Sequence, residues 1–309
     1  MNSRKTILVR RVLVALPAVA LLTGLALRNP SGVSANHPVL VEGNNCADGG
    51  PGVTTVPPGT CGDYDGDGRI GAAEDTDNAT DRIFGTLNVA LGNRSTGDPA
   101  IDATRANQNG RVTIVTSGRF AEIVTITGAN GNVTLEAAPG VEANIDAVVQ
   151  GAPDNGNGAR QNSPGILVNA PSTRVITLRN LISRNWTEGV RVSGDSRVVI
   201  DNCRVENNRD FGIRAMGSAR VTIVNSLVTA SGFRVSAGVV NVPSPGVGIE
   251  FAGSSSGMVA ASTISSNFAG GISNATGDPG AVCLRDLTVF DNSPNLSGVV
   301  QGACPLASL

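Results

Sequence analysis

A unit of about 23 residues recurs through the second half of this chain, and a fixed period of that length is the mark of a solenoid. The glycines that open the unit are Gly165, Gly189, Gly212, Gly248 and Gly271, spaced 24, 23, 36 and 23 residues apart. The long interval reads as one unit carrying a 13-residue insertion. Aligned, the first four units read GILVNAPSTRVITLRN, GVRVSGDSRVVIDNCR, GIRAMGSARVTIVNSL and GIEFAGSSSGMVAAST. Arg174, Arg197 and Arg220 recur 23 apart, as do Asn202 and Asn225, with Asn180 22 residues earlier.

The interior of each unit says which solenoid. Apolar residues fall in short alternating runs: Val175 and Leu178, Val198 and Ile200, Val221 and Ile223. That is strand periodicity, not helix periodicity. Glycine and asparagine separate the runs, as turns require. A unit this short holds two or three strands and no helix, so the chain is read as an all-β, single-stranded parallel β-helix. Its coils stack at about 4.8 Å. A leucine-rich repeat of similar length would show a leucine lattice and a longer convex segment, and the sequence has neither. The alignment places Val192, Val198, Ile200, Val205, Ile213, Val221 and Ile223 in buried columns, with Asn202 and Asn225 in an interior ladder of turns. Aromatic residues make up only 3% of the chain, too few for a thick core but enough for a narrow one filled by valine, isoleucine and leucine.

With these residues in place, the chain resembles the right-handed parallel β-helix proteins of the pectate-lyase-like superfamily. Asn180, Asn202 and Asn225 look like that family's asparagine ladder. RVTIVTSGRFAEIVTI (111–126) looks like its first coil, and FGTLNVAL (84–91) like the short helix that caps its N-terminal end. The resemblance spans roughly 81–295 and concerns the fold, which hosts many activities.

Met1 to Arg11 carries four basic residues, Val12 to Leu27 is apolar, and Val33-Ser34-Ala35 is a small-residue cleavage pattern. Residues 1–35 are therefore read as a secretory signal, and the remainder as a secreted or cell-surface, monomeric protein with no membrane span after cleavage. Removal of the signal leaves 18 basic against 25 acidic residues, a net charge of −7, and no lysine. Nucleic acid is a poor partner for such a chain. Five cysteines in an exported protein suggest disulfides. Cys46 and Cys61 share a Gly/Pro-rich segment, Cys283 could meet Cys304, and Cys203 falls in an inward column as a free thiol.

Residues 63–74 read DYDGDGRIGAAE. Asp63, Asp65 and Asp67 stand at positions 1, 3 and 5, Gly68 permits the turn at position 6, Arg69 offers its carbonyl at 7 and Glu74 two oxygens at 12. Four carboxylates so close together call for a cation, and this pattern selects Ca2+. It resembles an EF-hand or dockerin loop. The preceding GGPGVTTVPPGTCG cannot form an entering helix and no second loop follows, so a structural calcium is expected rather than a switch.

The domain reading is thus 1–35 signal, 36–62 linker with a cysteine pair, 63–92 calcium loop and capping helix, 105–295 β-helix and 296–309 tail. Ile83, Leu87, Ala90 and Leu91 form the apolar face of the expected cap. Two insertions, 150–164 and 231–247, both end just before a Gly-opened strand and should leave at one corner. Between them a groove is expected, with Trp186, Arg191, Arg209, Arg214 and Glu250 as candidate ligand-binding residues for a polysaccharide, the arginines favouring an acidic one. The solenoid lacks the Gly-His-Gly segment of polygalacturonases and the aspartate cluster of pectate lyases. Glu188 and Asp210 are the remaining candidates for an acid and nucleophile. The sequence therefore favours a calcium-bearing polysaccharide-binding protein without catalysis. A polysaccharide lyase or glycoside hydrolase, and a purely structural or adhesive surface protein, are the alternatives.

Overall fold

The computed structural model describes residues 39–41, 54–55, 57, 69–70, 83–84, 87–92, 110–128, 131–147, 163–232, 234–236, 239–241 and 246–299. Apart from two short antiparallel pairs, their strands form three parallel sheets, visited in turn by successive coils. In one coil, Val175–Arg179 lies in sheet I, Leu181–Arg184 in sheet II and Glu188–Val192 in sheet III. The next coil repeats this with Arg197–Asp201, Arg204–Glu206 and Phe211–Ala215. All pairing between successive coils is parallel, as winding in one direction requires. Among the described residues between Gly165 and Asn292, the only helical element is the single 3₁₀ turn Pro279–Ala281.

Alternation explains the interior. In Arg197–Asp201, Val198 and Ile200 point inward, while Arg197, Val199 and Asp201 point outward. Register then stacks like on like. Val112, Leu135, Leu178, Ile200, Ile223, Val259 and Leu284 form one continuous column in sheet I. Val124, Ile166, Val190, Ile213, Ile249, Ile272 and Leu296 form another in sheet III. The seven expected core residues are all buried. Each contributes on the order of 2 kcal/mol by burial, and each does so only because its neighbours above and below are present. Val175 does not belong to this set. It is half-buried and pairs with Arg197, and Ile176 fills the inward position beside Val198. Arg174 consequently drops out of the arginine column, which contains only Arg197 and Arg220.

The corners separate the two kinds of asparagine. Asn180, Asn202 and Asn225 stand alone between sheets I and II with φ of 56°, 50° and 52°. This left-handed conformation suits asparagine among residues that carry a Cβ. It turns their side chains away from the core, so they do not form the expected interior ladder. Asn202 donates to Asn180 Oδ1 at 2.8 Å, and Asn225 to Asp201 Oδ1 at 3.0 Å, along the outer rail of the corner.

The interior ladder lies at the next corner, between sheets II and III. Its members are Trp186, Asn208, Ser231, Asn267 and Asn292, of which the first four are buried. Asn208 Oδ1 accepts from Trp186 N (3.1 Å), Asn267 Oδ1 from Ser231 N (3.0 Å) and Asn292 Oδ1 from Asn267 N (2.9 Å). These bonds satisfy amides that the corner takes out of the sheet. They also account for the repeating glycines. A Cβ on Gly189 would lie 2.7 Å from Asn208 Nδ2 and 2.4 Å from Val205 Cγ1, and one on Gly248 2.6 Å from Asn267 Nδ2. The glycine that opens each unit leaves room for the ladder side chain beneath it.

At the N-terminal end, Val39–Val41 joins sheet I, pairing with Gly110–Ile114 on one side and Ile83–Phe84 on the other. A segment read from sequence as linker thus supplies a strand, because VLV is itself a short apolar run. Ile83 and Phe84 are strand and not helix, and the helical turn is confined to Leu87–Ala90. Leu87 and Ala90 are buried, as the expected face required. The turn is tied to the first coil by Glu122, which accepts from Leu87 N and Asn88 N, and by Asn88, which accepts from Thr125 N. At the opposite end Leu296–Ser297, read as the start of a tail, adds a final strand to sheet III.

Candidate functional site

Both insertions leave the solenoid at the corner between sheets II and III. The first separates Ala143–Asp146 from Pro164–Val168, the second Leu227–Thr229 from Val247–Ala252. The strands that follow them are three steps apart in sheet III, about 14 Å. Within the second insertion Arg234–Ser236 pairs antiparallel with Val239–Asn241 as a hairpin. Its base is closed by Gly232 and Gly246, so close that a Cβ on Gly232 would lie 2.5 Å from Gly246 Cα.

The outer face of sheet III between these departures carries a charged strip. Arg191, Arg214 and Glu250 are in register on consecutive strands. Glu188, only 2% exposed, lies beside them and receives Arg191 Nε and Arg214 Nη1, the latter at 3.4 Å. Arg214 Nε also meets Glu250 at 2.9 Å, and its guanidinium lies 4.3 Å from the ring centre of Phe211. The hydrogen bond to Glu188 raises the Arg191 pKa above its ordinary value. Arg209 grips Asp210 with two bonds of 2.9 and 3.0 Å, which raises its pKa as well. Signs alternate along the strip, so repulsion between the arginines is offset at every step.

Similar strips line the other sheets. On sheet II, Asp146 receives Arg184 (2.9 Å), Arg119 (3.6 Å) and Asn185 (2.8 Å), and Arg204 meets Glu206 at 2.6 Å. On sheet I, Glu136 and Asp201 flank Arg179, with Asp201 at 3.0 Å. Arg179 and Asp201 are directly opposite in register. Arg184 lies nearer to Asp146 than to Glu206, at 3.8 Å. Asp195, two residues before Arg197, is held by Ser172, whose hydrogen bonds lower its pKa.

One candidate is displaced altogether. Trp186 is 2% exposed, packs in the hydrophobic core and donates from Nε1 to Ile145 O at 2.9 Å. It presents no face to a ligand. It occupies the interior ladder position that Asn208 fills one coil later, and the small Gly165 admits its ring. Arg191, Arg214 and Glu250 share the outer face of sheet III, with Phe211 buried beneath Arg214, whereas Arg209 pairs with Asp210 at the preceding corner.

Residues 164–297 match the family model of a right-handed beta helix region. That match supplies the hand. The described solenoid is a right-handed parallel β-helix. No curated protein and no solved structure matches it.

The segment 63–74, expected from its sequence to hold calcium, lies outside the described residues except for the backbone of Arg69–Ile70, which pairs antiparallel with Thr54–Thr55. Among the described residues no cluster of His, Cys, Asp or Glu is arranged to hold a metal. Cys46, Cys61 and Cys304 also lie outside them. Cys283 is disulfide-bonded. Cys203 is a free thiol, 5% exposed, and burial pushes its pKa up to about 12. It sits in a ladder of its own at the first corner, where Ser226 Oγ accepts from Cys203 N and Ser262 Oγ from Ser226 N.

Proposed function

We propose that this chain is an exported β-helix, stiffened by calcium near its N-terminus, that binds an extended acidic polysaccharide across sheet III without cleaving it. The observation that carries the reading is the Arg191–Glu188–Arg214–Glu250 strip, bounded by two insertions that depart from one corner. Its spacing follows the strands, so it offers repeated polar contacts to a polymer lying parallel to the solenoid axis. Arg191 and Arg214 keep 31% and 28% of their side-chain surface open, enough for outward N–H groups to meet a uronate. Glu188 and Asp210 are engaged by guanidinium groups on their own surface, an arrangement that favours binding over acid–nucleophile chemistry. For calcium, the support is the donor set of 63–74, together with the pairing of positions 7 and 8 of the loop to Thr54–Thr55.

The test combines a glycan array with assays for new reducing ends and unsaturated uronates. Uronate-rich polymers are expected to bind, Arg214→Ala to weaken them by about tenfold at unchanged melting temperature, and no new ends to form. Absence of binding to any polymer rejects the reading, and product formation replaces it with the lyase or hydrolase alternative. Separately, calcium should raise the melting temperature of the wild-type chain but not of the Asp63→Ala/Asp67→Ala variant. Calorimetry without a calcium heat at millimolar metal removes the cation.

A further inference from the structure

Every arginine with a described side chain meets an acid except three. Among the described residues, the guanidinium groups of Arg174, Arg197 and Arg220 have no hydrogen-bond or ion-pair partner. Arg197 and Arg220 are exposed, and Arg174 is half-buried. The three fall on consecutive coils of sheet I. Arg197 and Arg220 are in register, and Arg174 directly precedes Val175, the partner of Arg197 on the preceding coil. The row runs about 10 Å along the solenoid axis, with one charge at each strand spacing.

The nearby acids are engaged elsewhere. Asp195 is held by hydrogen bonds from Ser172. Asp201 stands four residues beyond Arg197 on the same strand, about 13 Å away. That exceeds the screening length of about 8 Å at physiological salt, and Asp201 already binds Arg179 at 3.0 Å. The outward neighbours of the row carry hydroxyl groups: Ser256 continues its column beyond Arg220, and Thr177 and Thr222 flank it. On sheet III, by contrast, Arg191 and Arg214 are matched by Glu188 and Glu250. The row is thus a strip of excess positive charge on a chain whose formal net charge is −2.

We propose that Arg174, Arg197 and Arg220 form a second glycan site, on a different face from the sheet III strip and independent of it, which takes successive sulfate or carboxylate groups of a linear polymer. A guanidinium offers an oxyanion two N–H groups at once, and here both are free of internal partners. Guanidinium groups strung along one axis suit a chain of anions better than one small anion, which could reach an adjacent pair at most. The mutual repulsion of the arginines, which nothing on the protein offsets, is relieved when the polymer binds.

Calorimetric titration of the full chain with dextran sulfate, polygalacturonate and uncharged dextran tests the site. One or both charged polymers should bind the wild-type protein, and uncharged dextran should not. Arg197→Gln/Arg220→Gln should weaken that binding by about tenfold or more, and the polymer affected identifies the anion as sulfate or carboxylate. Added salt should shrink the difference between wild type and variant. The unliganded variant should keep the wild-type melting temperature, because neither side chain holds the fold together. Equal affinities of wild type and variant for both polymers overturn the proposal, as does binding of neither. Loss of polygalacturonate binding in Arg214→Ala alone upholds the sheet III site and overturns this one. A lower melting temperature of the unliganded double variant makes the arginines structural. Tighter binding to phosphatidylserine vesicles than to either polymer makes the row a lipid contact, and either result rejects the glycan site.

Discussion

Asn267 and Asn202 offer a direct test of the two asparagine classes. Asn267 is 1% exposed, accepts from Ser231 N at 3.0 Å, and donates to Val228 O at 3.3 Å and Asn292 Oδ1 at 2.9 Å. Replacement by alanine leaves the amide of Ser231, a fully buried residue, without its acceptor, a loss of about 1–3 kcal/mol. The vacated side-chain space and the two lost donor bonds raise the total to about 2–4 kcal/mol. At about 2–4 °C per kcal/mol for a domain of this size, the melting temperature should fall by roughly 5–15 °C. Asn202 behaves differently. Its side chain is exposed on the outer rail, and its φ of 50° is the constraint that matters. Alanine there costs about 1–2 kcal/mol in backbone conformation, whereas glycine adopts the same φ freely. Asn202→Gly should therefore be better tolerated than Asn202→Ala, and Asn267→Gly no better than Asn267→Ala. Urea unfolding followed by circular dichroism reads all four variants. The reasoning fails if Asn267→Ala costs under about 1 kcal/mol, or if glycine is as damaging at 202 as at 267.

Ser231 interrupts the interior ladder, and its buried Oγ has no hydrogen-bond partner. Ser231→Asn should restore an Asn208-like acceptor beneath Gly212 and raise stability by about 1 kcal/mol, seen as a higher urea midpoint at constant slope; a lower midpoint would show that the corner cannot admit the amide. Cys203 should resist thiol reagents in the native state at pH 8 and react at the rate of unfolding; fast modification under native conditions contradicts its burial. Because burial raises its pKa from 9.0 to about 12, the unfolded thiol ionises first. The stability this group contributes is complete below pH 9 and declines by about 1.4 kcal/mol per unit toward pH 12. Cys203→Ala should lack that alkaline slope, and parallel pH profiles for the two proteins would refute the assignment.

The winding was legible because it repeats in composition as well as in spacing: glycines 23 residues apart and valine or isoleucine every second position state the coil and its register almost directly. The ladders were harder. Asn180, Asn202 and Asn225 recur as identical residues, and identity drew attention to a corner where asparagine is selected by backbone conformation. The interior ladder is built from Trp186, Asn208, Ser231, Asn267 and Asn292, which share a location but not a chemistry. Its signal lay in the glycines opposite, each demanding a close neighbour. The same reasoning would have placed Trp186 inside. The acids and arginines of sheet III were found as a set, but their mutual pairing depends on side-chain reach across strands, which an alignment does not contain. Val39–Val41 escaped notice because three residues carry too little periodicity to distinguish a strand from a linker.

The closed base of the second insertion makes coil and excursion separable. Gly232 N donates to Asn208 O in the coil on one side, and Gly246 O accepts from Ala269 N in the coil on the other. The stacking path therefore runs from 232 to 246 as though the intervening chain were a side branch, occupying the place that Arg209 and Asp210 hold one coil earlier. Residues 233–245 can lengthen, shorten or change sequence while the register of every strand above and below stays as it is, because closure is already made at the stem. In a fold whose winding allows no slack, novelty can enter only as such grafts, and the two glycines at this stem mark where one has been accepted.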